Sequence, residues 1–436
     1  MDAFVQWFRL VTPYIHAYQN KVFVMSLGGR ALSLPHLKNI TFDINVLLAL
    51  GIRVVLVHGA REQIEDLLKA RNLPSRFHNG YRVTDADTLE CVLNAVGSVH
   101  IEISAMLSQG LPNTPMANAK NRVIGGNFIT AQPIGVLEGV DLQYTGKVRK
   151  VDADGILAQL KLGNLVLINT EGLSPTGEIF NLEMADVAQA VSVALRADKL
   201  IFLTEGRGIF DEKGEFLDAL TSDELSALPL SQTPDDVARF APHAAAACRA
   251  GVGRVHFVPW QTEGALLKEL FTHDGVGSVI TRESLENMRE AKSDDIAALI
   301  AIIEPLEAAG VLVPRPRELL EREIEHFSIM LHDNIVVGCA ALYVQEQTED
   351  EPKMAELACL AVRADQREWG YGESLLRRIE SRARAQKIEV LFVLTTQTEH
   401  WFMERGFALG EVSDLPQCKR RIYNLQRKSK VLFKKL

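Results

Sequence analysis

Short apolar runs recur along the first 260 residues and restrict the fold more than any other feature. They are Val22-Phe23-Val24-Met25, Val54-Val55-Leu56-Val57, Leu165-Val166-Leu167-Ile168, Leu200-Ile201-Phe202-Leu203 and Val255-His256-Phe257-Val258. Each is strand-length and lacks the in–out polar alternation of a half-exposed strand, so each is expected to be buried on both faces. Helical patterns lie between them: Ile64, Leu67 and Leu68 share one face after the second run, and Asp186 to Ala197, His243 to Ala250 and Gly264 to Phe271 read as helices. Apolar strands separated by helices predict an α/β fold, with an open, mainly parallel sheet covered on both sides.

A chain of 436 residues exceeds one ordinary domain. The texture changes at the short polar stretch Thr281-Arg282-Glu283-Ser284, where a domain joint is expected. The reading is therefore an N-terminal helix over 1–20, a sheet domain over 21–281 and a second domain over 285–436. In residues 1–20, Phe4, Trp7, Phe8, Val11, Tyr14, Ile15 and Tyr18 recur at helical spacing, with a kink or restart expected at Pro13. Such a stripe packs either on its own subunit or, as an arm, on a neighbouring one.

Beyond the joint, helices are expected from Asp294 to Phe327, interrupted at Pro305, Pro314 and Pro316. Strands follow at Ser328 to Leu331, Ile335 to Val344 and Ala355 to Val362. Next come a turn with Gly370 and Gly372, a helix from Glu373 to Gln386, the strand Val390 to Leu394, a short helix from His400 to Glu404 and a basic end.

The net charge of -9 argues against a general nucleic-acid binder. The N-terminus has no signal-peptide layout, and no apolar run reaches membrane-spanning length. Five scattered cysteines without metal-type spacing read as thiols of a reducing, cytoplasmic compartment, with no metal site.

The turn Gln366-Arg367-Glu368-Trp369-Gly370-Tyr371-Gly372 carries the chemistry. Glycines let the backbone approach an anion, and the free amides of the helix start bind it. The spacing Arg-x-x-Gly-x-Gly, with Glu356 before the preceding strand and Phe402-x-x-x-Gly406-Phe407 later, resembles the GNAT superfamily of N-acetyltransferases. The resemblance implies that acetyl-CoA is the co-substrate, held by Arg367 and the amides around Gly370, Tyr371 and Gly372. The amides of Cys359, Leu360, Ala361 and Val362 would pair with the pantetheine arm. It also implies Glu356 as general base and Thr395 as a proton donor to the leaving thiolate. Cys359 itself has no neighbouring base in sequence and reads as a packed thiol.

Residues 20–280 resemble the amino-acid kinase fold, acetylglutamate kinase above all. The matching pieces include Lys21 to Gly29, His58-Gly59, His78 to Asp85, Leu203 to Ile209 and Leu267 to Gly277. The departures matter more. Met25 stands where active kinases carry a lysine, His58-Gly59-Ala60-Arg61 has few glycines, and Asp186 is displaced within its element. A thioether supplies no positive charge to a transferring phosphoryl group, so a catalytically silent domain is expected.

Together with these two halves, the ending Tyr423-Asn-Leu-Gln-Arg427-Lys-Ser429-Lys430 resembles the bacterial N-acetylglutamate synthases. The resemblance implies that L-glutamate is the acceptor, held by Arg315, Arg427 and Ser429, in the first step of arginine biosynthesis. It also implies L-arginine as effector, bound near the N-terminal helix by Tyr14, Glu269, Gly275 and Gly277, and a homo-oligomer, a hexamer. Two other readings stay open on sequence: a protein lysine acetyltransferase with an amino-acid sensor, and a non-catalytic arginine sensor.

Overall fold

The structure is a computed structural model. It describes residues 3–32, 34–109, 121–272, 275–282, 286–332, 335–345, 352–423 and 427–436; for 3, 4, 6, 34, 35, 286, 367–369 and 422 it describes the backbone alone. Contacts divide the chain into two compact units, Met1–Ser284 and Leu285–Leu436. The joint expected from sequence thus falls partly on 283 and 284, outside the described residues.

The first unit is built on an eight-stranded sheet. Its order is Ala219–Thr221, Ser278–Thr281, Arg254–Pro259, Lys199–Thr204, Val22–Leu27, Arg53–His58, Leu165–Ile168, Val123–Ile124. The last six are parallel, and Ser278–Thr281 runs antiparallel to its inner neighbour. Period-two alternation sends Val22 and Val24 into one apolar cluster and Phe23, Met25 and Leu27 into another. The sheet is therefore buried on both faces, which is why its strands carry no polar alternation. The sequence reading missed the 22-residue helix Ala86–Leu107, whose start is capped by Asp85 accepting from the Thr88 amide. It also missed the small sheet of Ile129–Pro133, Gly146–Val151, Glu171–Leu173 and Ile179–Asn181.

The first helix runs unbroken from Ala3 to Tyr18 through Pro13. Tyr18 anchors it, with its ring 5.4 Å from Phe23 and 5.8 Å from Phe271. Trp7, Phe8 and Leu10 stay at least half exposed. No helix among the described residues is long and apolar enough to cross a membrane.

The second unit holds a seven-stranded sheet. Its order is Glu286–Glu290, Phe327–His332, Ile335–Val344, Met354–Val362, Val390–Thr395, Lys430–Lys435, Ala408–Gly410. All neighbours are antiparallel except Met354–Val362 with Val390–Thr395. Three strands escaped the sequence reading: Glu286–Glu290 is charged and lies at the sheet edge, where charges are ordinary, Lys430–Lys435 comes from the basic end, and Ala408–Gly410 is only three residues long. Pro305 does not interrupt Ile296–Ala308; the helix continues through it without that residue's amide bond.

Candidate active site

The parallel pair Met354–Val362 and Val390–Thr395 is bonded only from Met354↔Val390 to Leu357↔Val393. Past Leu357 the two strands part. At that point Met354–Val362 carries one extra residue against Ile335–Val344, since Cys339↔Ala361 is followed by Ala341↔Ala358. The bulge is centred on Cys359, whose φ is +51°. A left-handed non-glycine residue is uncommon and costs free energy, so the surrounding sheet must impose it. The result is a strand edge, beyond Ala358, that Val390–Thr395 does not cover, and it includes Cys359, Leu360, Ala361 and Val362.

The chain then enters a short 3₁₀ segment, Ala364–Trp369, and turns at Gly370 into the helix Tyr371–Ala385. Gly370 has φ +76°, and a Cβ there would meet nothing within 4 Å. The helix start has no side-chain cap, which leaves its first amides for an anion. Tyr371 is fully buried, and its hydroxyl meets His332 Nδ1 at 2.7 Å, which fixes this helix end on the sheet. A Cβ on Gly372 would meet the Trp401 ring at 3.5 Å, an ordinary contact. The side chain of Arg367 lies outside the described residues.

Glu356, paired with Phe392, sits one residue before the last pair of the two strands and is only 8% exposed. Its Oε2 meets Lys419 Nζ at 2.5 Å. Arg315 approaches the same place from the loop after Ile296–Ala308. Burial works against its charge, but Cys359, Tyr343 and Glu356 nearby more than compensate and hold its pKa above the ordinary guanidinium value. Tyr343 donates to Glu323 at 2.9 Å, and burial pushes its phenol well up. Burial also pushes the Cys359 thiol up to about 11, the opposite of a thiolate nucleophile. Arg427 donates to the carbonyls of Gly310 and Val311, a few residues before Arg315. Ser429 directly precedes Lys430–Lys435, and its carbonyl accepts from Tyr423. Asn424, Leu425 and Gln426 are outside the described residues.

Thr395 ends its strand past the last pair with Met354–Val362 and is itself paired with Lys430 on the other side. Its Oγ1 meets Thr398 Oγ1 at 2.8 Å and accepts from the Thr398 amide at 3.0 Å. Thus Glu356, Arg315 and Cys359 lie close enough to influence one another's charge, with the Tyr343–Glu323 pair near Arg315 and Lys419 on Glu356, three residues which sequence reading missed. The first two of these lie on elements called only as strand or helix, and Lys419 lay in an unassigned basic tail.

In the first unit, Glu269 is buried. Its Oε1 meets His256 Nδ1 at 2.7 Å, and its Oε2 accepts from the amides of Val276 and Gly277 at 2.8 and 3.0 Å. Burial raises its pKa, but His256 and the amides outweigh that and hold it at about 2. His256 Nε2 in turn meets the buried Lys199 at 3.0 Å. Burial and Arg254 bring that lysine down to about 7. Lys199 lies over the ring of Tyr18 at 5.1 Å, and Tyr14 stacks next along the helix, 6.2 Å from Tyr18. Gly275 has φ +56°, and a Cβ on Gly277 would fall 1.8 Å from the Phe257 carbonyl oxygen. Tyr14, Glu269, Gly275 and Gly277 therefore border one cluster. Lys199, His256 and Tyr18 complete it, and a lone buried lysine was the signal that could have found them.

The same unit has a cleft of about 380 Å³ at the carboxyl ends of its central strands, beside Gly28, Gly59 and Glu183. No described lining residue is a lysine. Met25 is fully buried in an apolar cluster. A Cβ on Gly59 would meet Met184 Sδ at 3.2 Å, so a neighbouring side chain crowds that turn. Asp186 accepts from Tyr81 at 3.4 Å and faces His243. Among the described residues no group of three or more His, Cys, Asp or Glu is placed to hold a metal.

Known proteins carry the same two-part layout. Residues 21–259 match the amino acid kinase family, and 296–407 match the acetyltransferase (GNAT) family. The amino-acid acetyltransferase of Ralstonia nicotianae is 47% identical over 436 residues, covering all of this chain and 96% of that one. That of Ectopseudomonas mendocina is 47% identical with both chains fully covered. The crystal structure of N-acetylglutamate synthase from Neisseria gonorrhoeae with coenzyme A and L-arginine superimposes with TM-score 0.91 at 37% identity, covering all of both chains. The same enzyme with coenzyme A and N-acetyl-glutamate gives 0.63 at 38% identity, again over all of both chains. Acetyl-CoA is thus the co-substrate, the protein is an acyltransferase, and the chain belongs to the amino-acid acetyltransferase (N-acetylglutamate synthase) family.

Proposed function

We propose that the protein makes N-acetyl-L-glutamate from L-glutamate and acetyl-CoA, as the first step of arginine biosynthesis, under feedback by L-arginine. The observation that carries this is the buried Glu356 beside the point where the two strands part, with Arg315 near enough to feel its charge. A base and a carboxylate receptor would then flank the thioester.

The acceptor arrives as an ammonium, which has no lone pair. Glu356 takes a proton from it, directly or through water. The neutral amine attacks the thioester carbonyl, the C–N bond forms and the C–S bond breaks. The second amine proton passes through the Thr395 hydroxyl to the departing thiolate, which leaves as the neutral thiol. Amides at the Cys359 bulge polarise the carbonyl oxygen. Arg367 and the amides of Gly370, Tyr371 and Gly372 hold the pyrophosphate, and those of Cys359 to Val362 pair with pantetheine. Arg315, Arg427 and Ser429 hold glutamate; guanidinium forks suit its two carboxylates. L-Arginine would be taken by Glu269 and the backbone at Gly275 and Gly277, beside Tyr14. We place the enzyme in the cytoplasm as a homo-oligomer, a hexamer, with the exposed Trp7, Phe8 and Leu10 covered by another copy.

Thiol release from acetyl-CoA, measured with each amino acid with and without arginine, tests this. Glutamate-selective, arginine-sensitive turnover is expected. Turnover confined to a protein acceptor would sink the assignment.

A further inference from the structure

A primary ammonium already sits on the base. Lys419 Nζ lies 2.5 Å from Glu356 Oε2, with the lysine about a quarter exposed and the glutamate about a tenth. Lys419 belongs to the six-residue helix Gln417–Ile422, which starts after the buried Pro416. Its contact is the one an acceptor ammonium would make before giving up its proton. Arg315 stands close enough to interact with the same carboxylate. An acceptor ammonium entering here finds Glu356 already paired with Lys419 and within reach of Arg315, with Glu307 and Glu323 on the Arg315 side.

We propose that Lys419 is a specificity-determining residue. It occupies the acceptor ammonium's place on Glu356 and is drawn off by the carboxylate α to the acceptor's amine. This rests on the reading of the site as an amino-acid acetylation site.

The exchange is favourable for one class of acceptor. An α-amino acid carries its carboxylate two bonds from its nitrogen, so both arrive beside Glu356 together. Lys419 then trades one carboxylate for another, and Glu356 is released to the incoming ammonium. Once Glu356 takes the proton it is neutral, and the substrate carboxylate becomes the stronger partner for Lys419. An amine without an α-carboxylate offers no such trade. It must displace a mostly buried ion pair, and Lys419 then loses the carboxylate it holds. The side-chain amine of a protein lysine is of that kind. Lys419 thus favours free α-amino acids over the protein-acceptor alternative.

The experiment measures thiol release for the wild type, K419M and K419R with L-glutamate and with 4-aminobutyrate, which is glutamate without its α-carboxylate. For K419M, kcat/KM for glutamate should fall at least tenfold, mostly through KM, while that for 4-aminobutyrate rises. The glutamate-to-aminobutyrate ratio should collapse, and K419R should restore much of it. CoA affinity near that of the wild type shows that K419M is folded. An unchanged ratio in K419M overturns the proposal, as does wild-type turnover confined to amines lacking an α-carboxylate. If the wild type prefers another amino acid, the glutamate reading fails separately. The same ratio, taken for that amino acid against its own decarboxylated amine, then decides the role of Lys419.

Discussion

Each unit places a glycine between a buried strand and the helix that follows it, directly after Arg53–His58 in the first and after a 3₁₀ segment in the second, and only the second turn is open. At Gly370 a Cβ would meet nothing within 4 Å, the next helix lacks a side-chain cap, and a carboxylate and an arginine stand near the adjacent strand. At Gly59 the Met184 sulfur closes in, and Met25 occupies the first strand where a phosphoryl-transfer site needs a cation. The two glycine turns thus differ in conformation and in crowding, and the cleft beside Gly59 keeps arginines such as Arg61 and Arg239 but has no lysine among its described lining residues. A second charged group in the first unit, the Lys199–His256–Glu269 chain, lies beside the first helix.

Removing the base tests the active side most severely. E356Q should lower kcat about 10²- to 10⁴-fold, the usual range for a positioned proton acceptor, while CoA still binds in a titration. A kcat within threefold of the wild type would take Glu356 out of the reaction. On the silent side, phosphoryl transfer from ATP to N-acetylglutamate should be undetectable, and measurable transfer would erase the contrast between the two turns.

Backbone crowding comes next. A Cβ at Gly277 would overlap the Phe257 carbonyl oxygen at 1.8 Å, and backbone cannot rotate away as a side chain can. G277A should therefore destabilise the first unit by several kcal/mol, about the scale of core overpacking, and abolish the arginine response. Denaturant unfolding checks the first, and calorimetric titration with arginine the second. E269Q should weaken arginine binding at least tenfold without that loss of stability. The pair of variants separates ligand contact from scaffold.

How far the sequence reached follows the same division. Val22–Leu27 and Arg53–His58 were legible because burial on both faces leaves a run of apolar residues. The glycine turn was legible because φ +76° admits little else. Glu286–Glu290 and Lys430–Lys435 were not, since an edge strand and a late insertion keep their charges. Nor was Lys419, because a lysine in a basic tail acquires meaning only when folding brings it to Glu356, 63 positions earlier in the chain. His256 likewise looked like one more strand residue until Glu269 and Lys199 closed on it.

Acid should then separate the two units. His58 is fully buried, 3.1 Å from His100, and burial and that neighbour hold its pKa down at about 3. Its folded pKa lies below the unfolded value of 6.5, so the neutral ring's stabilisation is complete above pH 6.5 and is lost as pH falls toward 3. His256, at about 4, acts in the same direction. Each should remove roughly 1.4 kcal/mol per pH unit within its window. Unfolding followed at pH 7.5, 6.0 and 5.0 should show the first unit weakening while the second, probed by CoA binding, changes less. Equal loss in both would contradict the buried-imidazole account.

The smallest effect belongs to the open turn itself. G370A adds a methyl group into empty space, so its cost is conformational only: about 1 kcal/mol for placing a non-glycine residue at φ +76°. Because Gly370 immediately precedes the helix whose amides are proposed to hold the pyrophosphate, that cost should appear in acetyl-CoA binding. KM for acetyl-CoA should rise a few-fold, with kcat and KM for glutamate within twofold of the wild type. The matching change in the other turn, G59A, meets Met184 instead and should cost stability with no change in KM for acetyl-CoA. If G370A raised KM for glutamate as much as for acetyl-CoA, the turn would be shaping the whole cleft, and the separation between anion cradle and acceptor pocket would have to be given up.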